Sequence, residues 1–319
     1  MQRLQKNALF NKRDLHLILI IVILGFFISY NAPEFIQVRN LSNILGNNSV
    51  YGIMAIGMTL ILVTGNIDIS VGAVFAITGM TAASFANYAD AAGITTPFLV
   101  FAVSMLAGAA LGFINGYLVA KIKLPAIIIT LGNMSIMRGL LLLLTQGAWV
   151  SGMPEWLTVL ARTKYLGLYA STYLWLFTAL FVFALLKFTV LGRGILAVGG
   201  NSTGAQRIGI NQKMVYIFVF SVFGALTGLA STIYIANLGS AQPVAGMGYE
   251  LTLIAASIIG GTSIFGGKAS ILGTCLGVIL LGIIANAMVL ALVPVYWQSL
   301  VTGLVIILAI LFSYREERI

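Results

Sequence analysis

Charge is what this chain has least of. Asp, Glu, Lys and Arg make up 8% of its 319 residues, and only eight residues are acidic. A water-soluble domain of this length needs a charged, mixed surface, so a soluble globular fold is excluded. Cysteine is limited to Cys275, which rules out a disulfide within the chain. A single histidine, His16, leaves no Cys/His set for a metal. The same shortage removes Ser/His/Asp and Cys/His catalytic sets, so neither an enzyme of those classes nor a bound cofactor is expected. Alternating segments of about ten residues, which a transmembrane barrel requires, are also missing.

What is present is apolar sequence: 60% of the residues are hydrophobic, in runs such as Leu15–Phe27 and Leu300–Phe312. An apolar helix needs about 20 residues to cross about 30 Å of hydrocarbon. The expected fold is therefore all-α and polytopic, one transmembrane domain over 1–319 with about ten spans. They fall near 15–31, 44–64, 71–88, 97–120, 125–145, 169–187, 214–237, 251–265, 271–291 and 296–313. Arg3, Lys6, Lys12 and Arg13 precede the first run as in a signal peptide, but no small-x-small cleavage site follows, which predicts an uncleaved first span.

The net charge of +9 does not describe a nucleic-acid surface, because the seventeen basic residues are spread over chain ends and loops. With a cytoplasmic N-terminus, thirteen of them fall inside and three (Arg39, Arg162, Lys164) outside, leaving Arg138 within a span. The positive-inside rule then puts both termini in the cytoplasm. On the outside, 146–170 carries Trp149, Trp156 and Tyr165, either interfacial anchors or a docking surface.

Two parts of the chain look like diverged copies. Asn66-Ile-Asp-Ile-Ser-Val-Gly leads into the third span as Tyr249-Glu-Leu-Thr-Leu leads into the eighth. Leu111-Gly-Phe-Ile-Asn leads to Pro125 as Leu281-Gly-Ile-Ile-Ala-Asn leads to Pro294. One copy begins inside and the other outside, the pattern of an inverted repeat around a central site.

Few groups can carry chemistry. Asp68 lies in a short turn with Asn66 and Ser70 beside it, and a bare charge there must find donors or a cation. Two readings stand for Asp68, and equally for Glu250: a helix cap, or a substrate contact or gate. Arg138 can snorkel, contact solute or pair with a carboxylate, the last being favoured. Asn115, Asn133 and Asn286 sit within spans, as interhelical hydrogen-bond formers or as the lining of a polyol pathway. Thr262-Ser-Ile-Phe-Gly-Gly-Lys268-Ala269 is no phosphate loop, since Thr replaces the first Gly and Ala269 the magnesium-binding hydroxyl.

The stretch Lys187–Lys213 carries Lys187, Arg193, Arg207 and Lys213, no acidic residue and six glycines, which predicts an inside loop that touches a partner. Three stretches carry a family likeness: AIGMTLILVTGNIDISVGAV (55–74), LAVGGNSTGAQRIGIN (196–211) and SAQPVAGMGYELTLIAASIIGGTSIFGGKASILGT (240–274). Together they resemble the permease subunits of bacterial sugar importers of the ATP-binding cassette superfamily, most closely the ribose type, over about residues 30–313. The resemblance implies a multi-pass inner-membrane subunit paired with a second permease copy, as a homodimer or with a related permease. It also implies a periplasmic sugar-binding protein that delivers solute and a cytoplasmic ATPase that drives the cycle. On the matching positions, the coupling segment lies at about 188–213, with Arg193, Gly199, Asn201, Ala205, Arg207 and Gly209 as its elements. LTQGAWVSGMPEWL (144–157) is instead similar to permeases for quorum-signalling furanones and deoxy-sugars. An ion-coupled transporter using Asp68, Glu250 and Arg138, and a non-transporting scaffold, are the other classes.

Overall fold

The apolar runs do form helices, in a computed structural model that describes residues 12–122, 124–294, 296–298, 300–301, 303–305 and 307. Among the described residues, eight helices are long and apolar enough to cross a membrane. They are α1 (Lys12–Asn31), α2 (Val38–Val63), α3 (Val71–Ala91), α4 (Pro97–Ile122), α5 (Ala126–Thr145), α7 (Ala170–Phe188), α10 (Gln212–Leu238) and α12 (Ile271–Leu290). Shorter helices lie between them: α6 (Glu155–Arg162), α8 (Val190–Gly200), α9 (Ser202–Arg207) and α11 (Tyr249–Ile259). A short 3-10 helix (Pro33–Ile36) and two small antiparallel pairs are also described, Val150–Ser151 with Ser240–Ala241 and Lys164–Tyr165 with Leu168–Tyr169.

Two expectations need correcting. The eighth span is α11, whose 11 residues rise only about 16 Å and cannot cross alone. The expected loop 187–213 is mostly helical, because the glycines inside α8 serve close packing rather than turns: a Cβ at Gly192 would strike the backbone of Leu185 and Leu186. The expected span at 296–313 lies largely outside the described residues, although those described between 296 and 307 are helical. Arg3, Lys6, Lys123, Arg315 and Arg318 lie outside them as well.

α2 is the axis of the bundle, with 78% of its apolar window buried. α4 lies antiparallel on α10 at backbone distance. Gly108 faces the Gly224 carbonyl, Gly112 faces Phe220, and Gly116 faces Ile217. Lys121, Lys187 and Lys213 therefore come to one end, with Arg193, Arg207 and Lys268 beside them; this is the basic end. Arg39, Arg162 and Lys164 belong to the opposite end, where Arg162 donates to the Asn237 carbonyl at 3.5 Å.

The packing repeats itself. α4 rests on α10 as α12 rests on α2, α3 on α4 as α11 on α12, and α3 on α10 as α11 on α2. Each set is pinned by buried hydroxyls. In one, Thr78 Oγ1 meets Ser231 Oγ at 2.9 Å, and Ser104 Oγ donates to the Gly228 carbonyl at 2.8 Å. In the other, Thr59 Oγ1 meets Thr274 Oγ1 at 2.8 Å and Ser257 Oγ at 3.3 Å. Ser104 and Thr274 are also equivalent when Leu111-Gly is laid on Leu281-Gly. In a membrane-spanning bundle, such interhelical hydroxyl bonds help specify which helices pair.

Candidate translocation and coupling sites

α3 and α11 start from a common point and run in opposite directions. Gly72, at the start of α3, lies against the Gly246 carbonyl, and the Phe75 and Tyr249 rings stand 5.3 Å apart. Tyr249 also packs on Tyr51 at 4.8 Å, which joins α2 to the cluster. Gly246 (φ 76°) and Gly248 (φ 81°) adopt the left-handed conformation that the turn into α11 demands. Two helix N-termini, each with amides lacking intrahelical acceptors, thus converge inside the bundle.

Asp68 is the anchor of the first of these entries and is 3% exposed. Its Oδ1 accepts from the Ser70 N–H at 2.7 Å and from Ser70 Oγ at 2.6 Å, while Asn115 Nδ2 approaches Oδ2 at 3.4 Å. Asn115 in turn donates to Ser70 Oγ at 2.7 Å and accepts from Asn133 Nδ2 at 2.6 Å. Thr130 Oγ1 accepts from the Ile69 N–H at 3.1 Å. One amide–carboxylate chain therefore ties the segment 64–70 to α4 and α5. Asp68→Ala leaves two donors on Ser70 without their acceptor inside the bundle and is expected to cost about 2 kcal/mol. Thermal unfolding of the detergent-solubilised chain reads this directly; an unchanged midpoint would mean that Asp68 does not hold the entry.

The remaining polar candidates separate into three places. Asn66, bonded to Thr64 Oγ1 at 2.9 Å, borders a cavity of about 410 Å³ with Gln206, Gln212 and Tyr216 at the basic end. Glu250 is half-buried in the first turn of α11, with its carboxylate directed toward Gly72. Asn286 stands apart from both, exchanging two 3.0 Å bonds with Asn40 of α2. Arg138 lies within electrostatic range of Glu250, a carboxylate partner of the kind favoured, and backbone acceptors hold it as well. Its guanidinium donates to the Pro243 carbonyl at 2.6 Å and the Ala245 carbonyl at 3.1 Å, where a bend exposes two acceptors that intrahelical bonding cannot reach. Composition gave no sign of this, because backbone acceptors are invisible in a list of charged residues. Asn133, Arg138 and Glu250 all reach a partly open face, where α5 turns Leu131, Ile136 and Leu140 outward and Met247 and Leu251 are exposed.

At the basic end, three consecutive helices have side-chain caps. Thr189 accepts from the Gly192 N–H at 2.9 Å, Asn201 from the Gly204 N–H at 2.8 Å, and Asn211 from the Met214 N–H at 3.3 Å. α9 buries Ala205, exposes Arg207 and the apolar Ile208, and closes on Gly209 at φ 85°. Arg193 is exposed on α8. Gly199 lies against the Val63 carbonyl and the Gly267 N–H, which are bonded to each other at 2.8 Å. Gly266 (φ 93°) and Gly267 (φ 79°) shape the loop between α11 and α12 so that a Cβ at Gly267 would come 2.8 Å from the Gly200 Cα. The end of α8 therefore touches the chain leaving α2 and the chain entering α12 at one backbone junction.

Eight apolar helices of membrane-crossing length, buried hydroxyl triads, convergent helix starts and a capped basic end describe a multi-pass membrane protein. The particular family follows from comparison: residues 40–310 match the family described as branched-chain amino acid transport system / permease component, and the chain belongs to it. It is 40% identical to the ribose import permease protein RbsC of Haemophilus influenzae over 297 residues, 91% of this chain and 90% of that one. It is 40% identical to the Escherichia coli K12 protein of the same name over 307 residues, 93% and 92% of the two chains. With the autoinducer 2 import system permease protein LsrC of Salmonella typhi the identity is 35% over 305 residues, 96% and 86%. No solved structure matches the chain.

Proposed function

We propose that this chain, as one transmembrane domain over 1–319, is the permease of an ATP-driven importer of a monosaccharide of the ribose type. The observation that carries the reading is the coupling segment 188–213: a capped α9 presents Arg207 and Ile208, while Gly199 joins α8 to both repeats. The two ribose permeases at 40% identity supply the substrate class. Both termini lie in the cytoplasm of a bacterial cell, with the basic end facing a separate ATPase that binds and hydrolyses the nucleotide. Solute arrives from a periplasmic binding protein at the opposite end.

The open face of α5 and α11 becomes the pathway when a second permease copy covers it, with lipid around the pair. Asn133 and Glu250 then meet solute, and Arg138 holds the 243–245 bend in place. A neutral polyol needs hydrogen-bond donors and acceptors more than charge, which suits amides, a carboxylate and the amides of two helix starts. Asn66, Asp68, Ser70 and Asn115 act behind that face, and Asn286 acts by pairing α12 with α2. Arg193, Gly199, Asn201, Ala205, Arg207 and Gly209 form the coupling set.

Arg207→Glu and Gly209→Pro are each expected to lose co-purification of the ATPase while the chain stays inserted in the membrane. The first inverts an exposed charge, and the second removes the left-handed residue that ends α9. Retention of the complex by both variants would overturn the docking assignment. A furanone of the autoinducer 2 kind is the second substrate reading, supported by the 35% relative and by the 144–157 segment. Uptake of labelled ribose against labelled furanone by the reconstituted complex separates the two.

A further inference from the structure

An apolar groove of about 850 Å³ opens on the side of the bundle between α4 and α7, floored by Leu229, Ile233 and Ala236 of α10. It is not part of the amide network or of the coupling end. Three of its four hydroxyls bond to backbone carbonyls: Thr178 to Leu174 at 2.8 Å, Tyr173 to Tyr165 at 2.7 Å and Ser171 to Gly46 at 3.5 Å. Along α7 it runs from Ala170 to Thr178, about 12 Å of helix rise. Half of a hydrocarbon layer is about 15 Å deep. The groove therefore starts at the end of the bundle opposite the basic end and stops close to the middle, the depth of one leaflet.

Cations adjoin its mouth, while the carboxylates Glu155 and Asp90 of the same end are not among its lining residues, Asp90 accepting from Trp156 Nε1 at 2.8 Å. Of the three basic residues at that end, Arg162 and Lys164 flank the mouth, and both are exposed. Lys164 Nζ sits 4.4 Å from the centre of the Tyr169 ring, and the Arg162 guanidinium lies beside Asn237, the residue after Ala236 of the floor. No Asp or Glu lines the groove. Two cations held at an otherwise cation-poor end, over an apolar slot one leaflet deep, match an anion with an acyl tail attached.

We infer that the α4–α7–α10 groove binds the acyl chain of an anionic phospholipid from the leaflet opposite the basic end, with Arg162 and Lys164 holding its phosphate. The assignment rests on the membrane crossing that the family shows and not on the sugar. The probe is dioleoyl-phosphatidylglycerol, with dioleoyl-phosphatidylcholine as the zwitterionic control. Each is added to the detergent-purified full-length chain in complex with its ATPase, and retained lipid is counted by native mass spectrometry.

The wild-type chain is expected to retain the anionic lipid about fivefold over the control, the effect of roughly one surface cation. Arg162→Gln with Lys164→Gln should bring the two lipids level. Leu174→Trp, which fills the groove from its wall, should lower retention of both. Equal retention of the two lipids by the wild type, or full retention after Leu174→Trp, would overturn the assignment. So would a Leu174→Trp chain that separates from its second copy, since that outcome gives the groove to a protein partner.

Discussion

Gly112→Val is expected to leave almost no properly assembled protein. A Cβ at Gly112 would meet the Phe220 carbonyl oxygen, with the Phe220 carbonyl carbon at 2.8 Å and the Ser221 Cα at 3.1 Å. All three are backbone atoms of α10, so no side chain can rotate aside. The same seam is held by Gly108 against Gly224 and by Gly228 against Ser104, so separation at one point opens all of them. In lipid, helices associate through close packing rather than through expulsion of water, and this contact has no substitute. A loss beyond about 4 kcal/mol is expected, the range reserved for failures of core packing. Size-exclusion elution of detergent extracts should show aggregate in place of a single species. A wild-type profile would mean that α4 and α10 are not in backbone contact.

The second large effect is functional. In Gly199→Ala a single methyl group enters the junction where the Val63 carbonyl accepts from the Gly267 N–H. Because α9 and its exposed Arg207 are untouched, the ATPase should remain bound. Movement of α8 should then no longer reach the chain leaving α2 or the chain entering α12. Uptake per ATP hydrolysed is expected to fall about tenfold or more, within the range of ordinary coupling energies. Normal uptake would remove the junction from the mechanism. Loss of ATPase binding together with uptake would show that the substitution damages docking instead.

Much of this architecture was legible in the sequence, and for clear reasons. Long apolar runs mark helices because a bilayer leaves a backbone no other way to satisfy itself, apart from closed barrels. The repeat was visible in Leu111-Gly and Leu281-Gly, because packed small residues hold their register. α11 was misjudged as a full span: hydropathy continues through Ile264 and Phe265, whereas the helix stops at Ile259. What stops it is the local pair Gly260-Gly261: Gly261 turns left-handed at φ 94° and the Thr262 N–H bonds back to the Ser257 carbonyl at 3.0 Å, a glycine stop inside the apolar run that hydropathy alone does not weigh. The backbone contacts of Arg138 were hidden for a different reason, since its acceptors are carbonyls 105 and 107 residues away. Asp68 was legible as a polar group needing donors, and its donors proved to include the neighbour Ser70 and the distant Asn115.

The hydroxyl triads carry an implication for how the chain is made. Neither triad belongs to one copy of the repeat. Thr78 and Ser104 of the first copy close on Ser231 of the second, and Ser257 and Thr274 of the second close on Thr59 of the first. Each three-helix body has borrowed its central helix from the other copy. α2 is among the first helices to leave the ribosome, yet Thr59 waits for a partner 215 residues later. An early-made part of the permease is thus finished by a part made much later, and a chain interrupted before α12 holds no completed copy of that second body.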